Sequence, residues 1–126
     1  MSITTANDPV NHPSHYTSHP SGVETLEVTR QLGFSCGNAV KYVWRRADKG
    51  STVQDLRKAA FYINDALNNS QLSMGVPAPA ARILEQVAAV EPDPLAAKFY
   101  HAAAEMRWLD AESAVQQMIK QLEPSE

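Results

Sequence analysis

Between residues 53 and 67 apolar side chains recur at Val53, Leu56, Ala59, Ala60, Ile63, Ala66 and Leu67. That spacing of three and four is the signature of a helix with one buried face. Asp55, Lys58 and Tyr62 fall together on its flank. Just before it, "CGNAVKYVWRRADKG" reads as another helix, with Val40, Val43, Trp44 and Ala47 on one side and Asn38, Lys41, Tyr42 and Arg45 in a column on the other. Further along, Leu95, Phe99, Ala102, Ala103 and Met106 form one stripe, and Val115, Met118, Ile119 and Leu122 a second. No segment alternates with the period of two that a strand requires. The expected fold class is all-α.

Punctuation residues set the expected boundaries. Residues 1–20 hold Pro9, Pro13 and Pro20 without periodicity and read as an extended N-terminal arm. In "SGVE", Ser21 and Glu24 have the spacing of a capping box, which predicts a helix from there to about Gly33. The next helix is predicted over Gly37–Lys49, closed by Gly50. Ser51 and Gln54 repeat the capping signature and open the helix that runs to about Asn68. These elements make a helical core over 21–69, and the Ser-, Asn-, Gly- and Pro-rich stretch 70–78 reads as a linker. In the C-terminal unit, 79–126, Pro79 starts a helix that Pro92 stops. Asp93 and Pro94 restart the chain, and Asp110 is expected to cap the last segment of an antiparallel hairpin. A core of this size is modest, so association into a homo-oligomer is expected, with Phe61, Tyr100 and Trp108 as interface candidates.

Charge changes the picture more than composition does. The 126 residues carry a net charge of −3, but the middle of the chain is basic. Arg30, Lys41, Arg45, Arg46, Lys49, Arg57 and Lys58 face only Asp48 and Asp55 there, while the segments on either side are acidic. A local basic centre in an acidic chain fits a small anionic ligand better than long nucleic acid, which gains affinity from many phosphate contacts. No run is long and apolar enough for a membrane span, and the N-terminus lacks the basic start and apolar stretch of a signal peptide. A single cysteine, Cys36, excludes an internal disulfide and suits a reducing, cytoplasmic compartment.

The column on the second helix combines an amide, an amine, a phenol and a guanidinium. Lysine and arginine supply point-charge and fork-shaped phosphate contacts, and asparagine and tyrosine add oriented hydrogen bonds or a ring. A solvated helix face explains the same residues without a ligand. The Asp55–Lys58–Tyr62 row is by itself an ordinary i,i+3 pair beside a ring, but antiparallel packing of the two helices would make the rows flank one cleft. Glu24 and Glu27 could share a magnesium ion, yet no second acidic pair has suitable spacing, so no metal ligand is assigned. His12, His15 and Tyr16 lie in the arm, where a histidine could contact or protonate a phosphate. His101 reads as packed or solvated, and Cys36 as inert. No G-x-x-x-x-G-K-[ST] loop is present, so phosphates would be held by side chains and by helix N-termini such as the one at "SCGN".

Taken together, "DPVNHPSHY", "GVETLE", "LGFSCGNAVKYVWRRADKG" and "DLRKAAFYINDAL" resemble the small nucleotide-kinase-like proteins of tailed bacteriophages, over about residues 8–68. Many members carry Asp where Glu27 stands here. The resemblance implies a phage-encoded, oligomeric nucleotide-binding protein of the host cytoplasm. Its motif positions fall on His12, His15, Tyr16, Glu24, Asn38, Lys41, Tyr42, Arg45, Lys49, Asp55, Lys58 and Tyr62. Phosphorylation of deoxynucleoside monophosphates would use His15, Lys41 and Asp55 in catalysis, with magnesium as the cofactor to consider. The other motif positions apart from Glu24 would bind the nucleotide. Alternatives are a non-catalytic sponge for a nucleotide immune signal, a metal-dependent nucleotide pyrophosphohydrolase, and a DNA-contacting adaptor.

Overall fold

The computed structural model describes residues 19–46, 52–69 and 74–123. His12, His15, Tyr16, Lys49, Gly50 and Ser51 lie outside them, so the expectations placed on those residues concern undescribed parts of the chain. Among the described residues the fold is all-α, with six helices and no strand: α1 Leu26–Thr29, α2 Phe34–Arg45, α3 Thr52–Asn69, α4 Ala78–Val90, α5 Pro94–Ala104 and α6 Trp108–Leu122. None of them is long and apolar enough to cross a membrane.

The first helix is shorter than expected, and its cap has moved. Gly22 sits at φ 76°, a left-handed conformation that glycine adopts without strain, and its N–H closes a turn onto the His19 carbonyl at 2.9 Å. The chain is therefore still turning where the capping box was expected. Ser21 Oγ accepts the N–H of Val23 at 3.2 Å, and the N–H of Glu24 is taken by the Glu27 carboxylate at 2.8 Å. This is the back-reaching half of a capping box, displaced by three residues.

Helix α2 begins at Phe34, three residues before the Gly37 start expected from sequence, because Gly33 takes the extended N-cap conformation. Gly37 has a different task. A Cβ there would meet the Thr29 carbonyl oxygen at 3.3 Å, so its bare backbone allows α1 to lie against α2. Pairs between α2 and α3 run in opposite directions along the two helices: Ser35 with Asp65, Tyr42 with Tyr62, and Arg45 with Asp55. The helices are thus antiparallel. The α3 stripe buries Leu56, Ala59, Ala60, Ile63 and Ala66 against Val40, Val43 and Trp44 of α2.

Asp93 caps α5 as expected, accepting the N–H of Leu95 at 2.9 Å and of Ala96 at 3.4 Å. Helix α6 starts at Trp108 rather than at Asp110, which lies in its first turn and pairs with Arg107 at 2.5 Å. Helix α5 packs between α4 and α6, and α6 lies along α3. Asn64 meets Glu112, and Arg57 meets Glu123, so that pair too is antiparallel. One continuous core results. It absorbs two of the three proposed interface aromatics: Tyr100 is 0% and Trp108 3% exposed, while Phe61 is 65% exposed. The indole N–H of Trp108 donates to the Met74 carbonyl at 3.0 Å, which lets a polar-tipped ring sit inside.

Candidate functional site

The two polar rows meet on the α2–α3 surface. Tyr42 and Tyr62 lie parallel, with centroids 5.9 Å apart and an interplanar angle of 3°. Around the Tyr42 ring stand Lys41 Nζ at 4.7 Å, Lys58 Nζ at 5.3 Å and the Arg45 guanidinium carbon at 5.5 Å from its centroid. Each cation is within the ~6 Å over which a ring attracts it, a contact worth about 0.5–1 kcal/mol at exposed sites. Phe34 and Phe61 meet Tyr62 edge to face, with centroids 5.9 and 5.2 Å away. Asn38 stands one turn above Tyr42 and donates its amide N–H to the Phe34 carbonyl at 2.8 Å.

One carboxylate lies within ion-pair distance of these cations among the described residues. It belongs to Asp55, 2% exposed, with Oδ2 at 3.6 Å from Arg45 Nε. In that position it holds the guanidinium against α3 and has little access to solvent. Lys41 and Lys58 have no carboxylate partner among the described residues. Asp55 faces Arg45, and the Glu27 carboxylate accepts the N–H of Glu24 at its own helix start. A group of three ligand-type side chains close enough to share an ion occurs elsewhere: Glu85, His101 and Glu105 on the exposed α4–α5 surface. There Arg107 Nε also donates to Glu105 at 2.7 Å and competes for that carboxylate.

A second polar centre joins segments that are distant in sequence. His19 Nε2 meets Glu91 Oε1 at 3.0 Å, and Arg46 Nη2 meets Glu91 Oε2 at 3.4 Å, with the Glu91 side chain only 5% exposed. The N–H of Ser21 donates to His19 Nδ1 at 3.0 Å, so Nδ1 is an acceptor and Nε2 carries the proton given to Glu91. Arg46 also donates to the Val43 carbonyl at 2.7 Å and lies 3.7 Å from Asp93 Oδ2. Trp44 and Tyr100 wall this centre, 5.6 Å apart and edge to face, with the His19 ring 5.3 Å from Trp44. The result is a buried clamp. It joins His19 and the C-terminal end of α2 to the turn between α4 and α5, which fixes the basic face on its scaffold. Arg46 was visible as part of the basic centre, but Glu91 is 72 residues from His19 and no local spacing links them.

Cys36 is buried, and desolvation pushes its thiol up to about 11. Thiolate chemistry is therefore suppressed near neutral pH, in agreement with the inert reading. Residues 10–64 match the model of DUF3310, a family described as of unknown function. The match covers less than half of the chain. It contains all of α1 and α2, and α3 as far as Tyr62 and two residues beyond, and none of α4–α6. Neither the curated proteins nor the solved structures contain a match to this chain.

Proposed function

We propose that this chain is a nucleotide-binding protein that holds phosphates on the α2–α3 face with Lys41, Arg45 and Lys58 in place of a P-loop. The observation that carries the proposal is the gathering of three cations around the Tyr42 ring, with buried Asp55 the one carboxylate within ion-pair distance of them among the described residues. Like charges brought together repel, and a multivalent anion turns that repulsion into attraction. Phosphate suits the set, because an arginine fork and two ammonium groups supply convergent, charge-assisted donors. Lys49, just past the described end of α2, belongs to the same proposed set, and Asn38 is its neutral donor and acceptor.

The resemblance to nucleotide-kinase-like phage proteins extends the proposal to a phage-encoded protein acting in host cytoplasm, with deoxynucleoside monophosphates as phosphoryl acceptors. Phosphoryl transfer is mostly positioning and charge stabilisation, which this face could supply. Its proton-handling group would be His15 of the arm, together with His12 and Tyr16 as nucleotide contacts. The burial of Asp55 favours the second reading, sequestration of a nucleotide signal without turnover, since that carboxylate is turned to Arg45 and not outward. One experiment separates the two. The full chain and Lys41→Ala are incubated with deoxynucleoside mono- and triphosphates and with cyclic and ADP-ribose-type nucleotides, and ligands are separated before and after heat denaturation. New diphosphates that the variant fails to make establish transfer. A ligand withdrawn from solution and recovered intact on denaturation establishes sequestration. If the wild-type chain gives neither result, the proposal is refuted.

A further inference from the structure

We infer that the recess between α1 and the first turns of α2 is the nucleobase subsite of this face, with Phe34 as its stacking ring. The inference rests on the phosphate reading above and deepens it. The resemblance placed Tyr42 and Tyr62 among the nucleotide-binding positions. In the structure the two rings lie parallel and offset against each other, and the cations gather around Tyr42. These rings act as a platform for the charges, and the base must find another surface.

Phe34 offers one. It is 74% exposed, the most exposed of the large hydrophobic side chains among the described residues, although it lies at the edge of a well-packed helix pair. Its ring is held by an edge-to-face contact with Tyr62 at 78° and 5.9 Å. An aromatic side chain fixed at one edge and open elsewhere has already lost much of the freedom that stacking would cost it. Phe34 borders an open recess of 230 Å³ whose walls include Thr29, Leu32, Asn38 and Lys41. Pockets that enclose whole drug-sized ligands begin at ~300 Å³. This one suits a single ring system and leaves the sugar and phosphates outside.

Lys41 settles the direction in which they leave. It lines the recess and also stands over Tyr42, so it joins the apolar hollow to the cluster of cations. Asn38, on the recess wall, has one amide N–H committed to the Phe34 carbonyl. Its carbonyl oxygen and second N–H remain to meet the polar edge of a base. An aromatic platform beside a cationic track is the general arrangement for binding bases and phosphates together.

The test uses the full chain, the four deoxynucleoside triphosphates and inorganic tripolyphosphate in calorimetric titrations of wild type, Phe34→Ala, Phe34→Trp and Lys41→Ala. Light scattering gives the mass of each. Phe34 is exposed, so its replacement should leave the fold intact, which circular dichroism checks. The inference predicts that Phe34→Ala weakens the tightest-binding nucleotide roughly 5- to 150-fold, leaves tripolyphosphate unchanged, and is rescued by Phe34→Trp. Lys41→Ala should weaken both probes. If Phe34→Ala leaves the nucleotide unaffected while Lys41→Ala weakens it, the base subsite is wrong and the phosphate face stands. Equal weakening of both probes by Phe34→Ala also overturns the subsite. So does a change in mass with base discrimination intact, which would make the recess a contact between copies. If wild type binds neither probe, the phosphate reading fails and this inference fails with it.

Discussion

Removing the buried Glu91 carboxylate should damage the fold. Its side chain is 5% exposed and serves three donors: His19 Nε2 at 3.0 Å, the N–H of Asp93 at 3.0 Å and Arg46 Nη2 at 3.4 Å. Glu91→Ala leaves all three without that partner and strands the Arg46 guanidinium, whose side chain is only 11% exposed. Breaking a buried ion pair from one side costs about 3–5 kcal/mol. Arg46 keeps the Val43 carbonyl at 2.7 Å, and the half-exposed Asp93 carboxylate at 3.7 Å, so the lower end, about 3 kcal/mol, is expected. With an unfolding entropy of roughly 2.1 cal/mol/K per residue, the 126-residue chain should lose about 11 °C in Tm. Urea and thermal unfolding followed by circular dichroism measure both quantities. Adding Arg46→Met to Glu91→Ala should cost much less than Arg46→Met alone, because the stranded charge has gone, and the coupling should fall in the upper part of the ~0.5–3 kcal/mol range for residues in contact. A Glu91→Ala loss below about 1 kcal/mol, the worth of an exposed pair, would refute the clamp.

Other consequences are simpler to check. Burial raises the Cys36 thiol to about 11, whereas an unfolded chain releases that proton near pH 8.5. The stability this lends is complete below the unfolded value and is lost as pH rises toward 11, so wild type should lose urea stability over that window faster than Cys36→Ala. The hydroxyl of Tyr100 is buried beside the Arg46 guanidinium without a well-formed hydrogen bond, so Tyr100→Phe should change stability by less than about 1 kcal/mol in either direction. A loss of more than 1 kcal/mol on urea unfolding would show that the hydroxyl is held. Arg57 and Glu123 meet at 3.0 Å but are about half exposed or more, and Arg57→Ala should change the same midpoint by less than about 1 kcal/mol.

The helical faces were legible because burial follows local spacing. Val40, Val43, Leu56, Ala59 and Ile63 are all fully buried, as their period indicated. The meeting of the two polar rows was legible in the same way: antiparallel packing of neighbouring helices brings Lys41 and Lys58 to one ring once the apolar sides are paired. Helix starts were less so. Gly37 looked like a beginning, but it is a contact point for α1, and a sequence shows a glycine without showing what approaches it. Burial of Tyr100 and Trp108 depends on α5 lying between α4 and α6 and on a carbonyl at Met74 that satisfies the indole. The His19–Glu91–Arg46 clamp joins three distant segments, and each of its residues looks like an ordinary surface group in its own neighbourhood.

The phosphate-binding face is tested most directly by titrating the panel's tightest-binding nucleotide into wild type and into Lys41→Ala/Lys58→Ala, at low and at physiological salt. Each charge-assisted hydrogen bond is worth about 1.5–3 kcal/mol. The double variant should therefore bind about 10²- to 10⁴-fold more weakly, and wild-type affinity should fall as salt rises. Equal affinity of the two proteins, or wild-type binding indifferent to salt, would contradict a site built on Lys41 and Lys58.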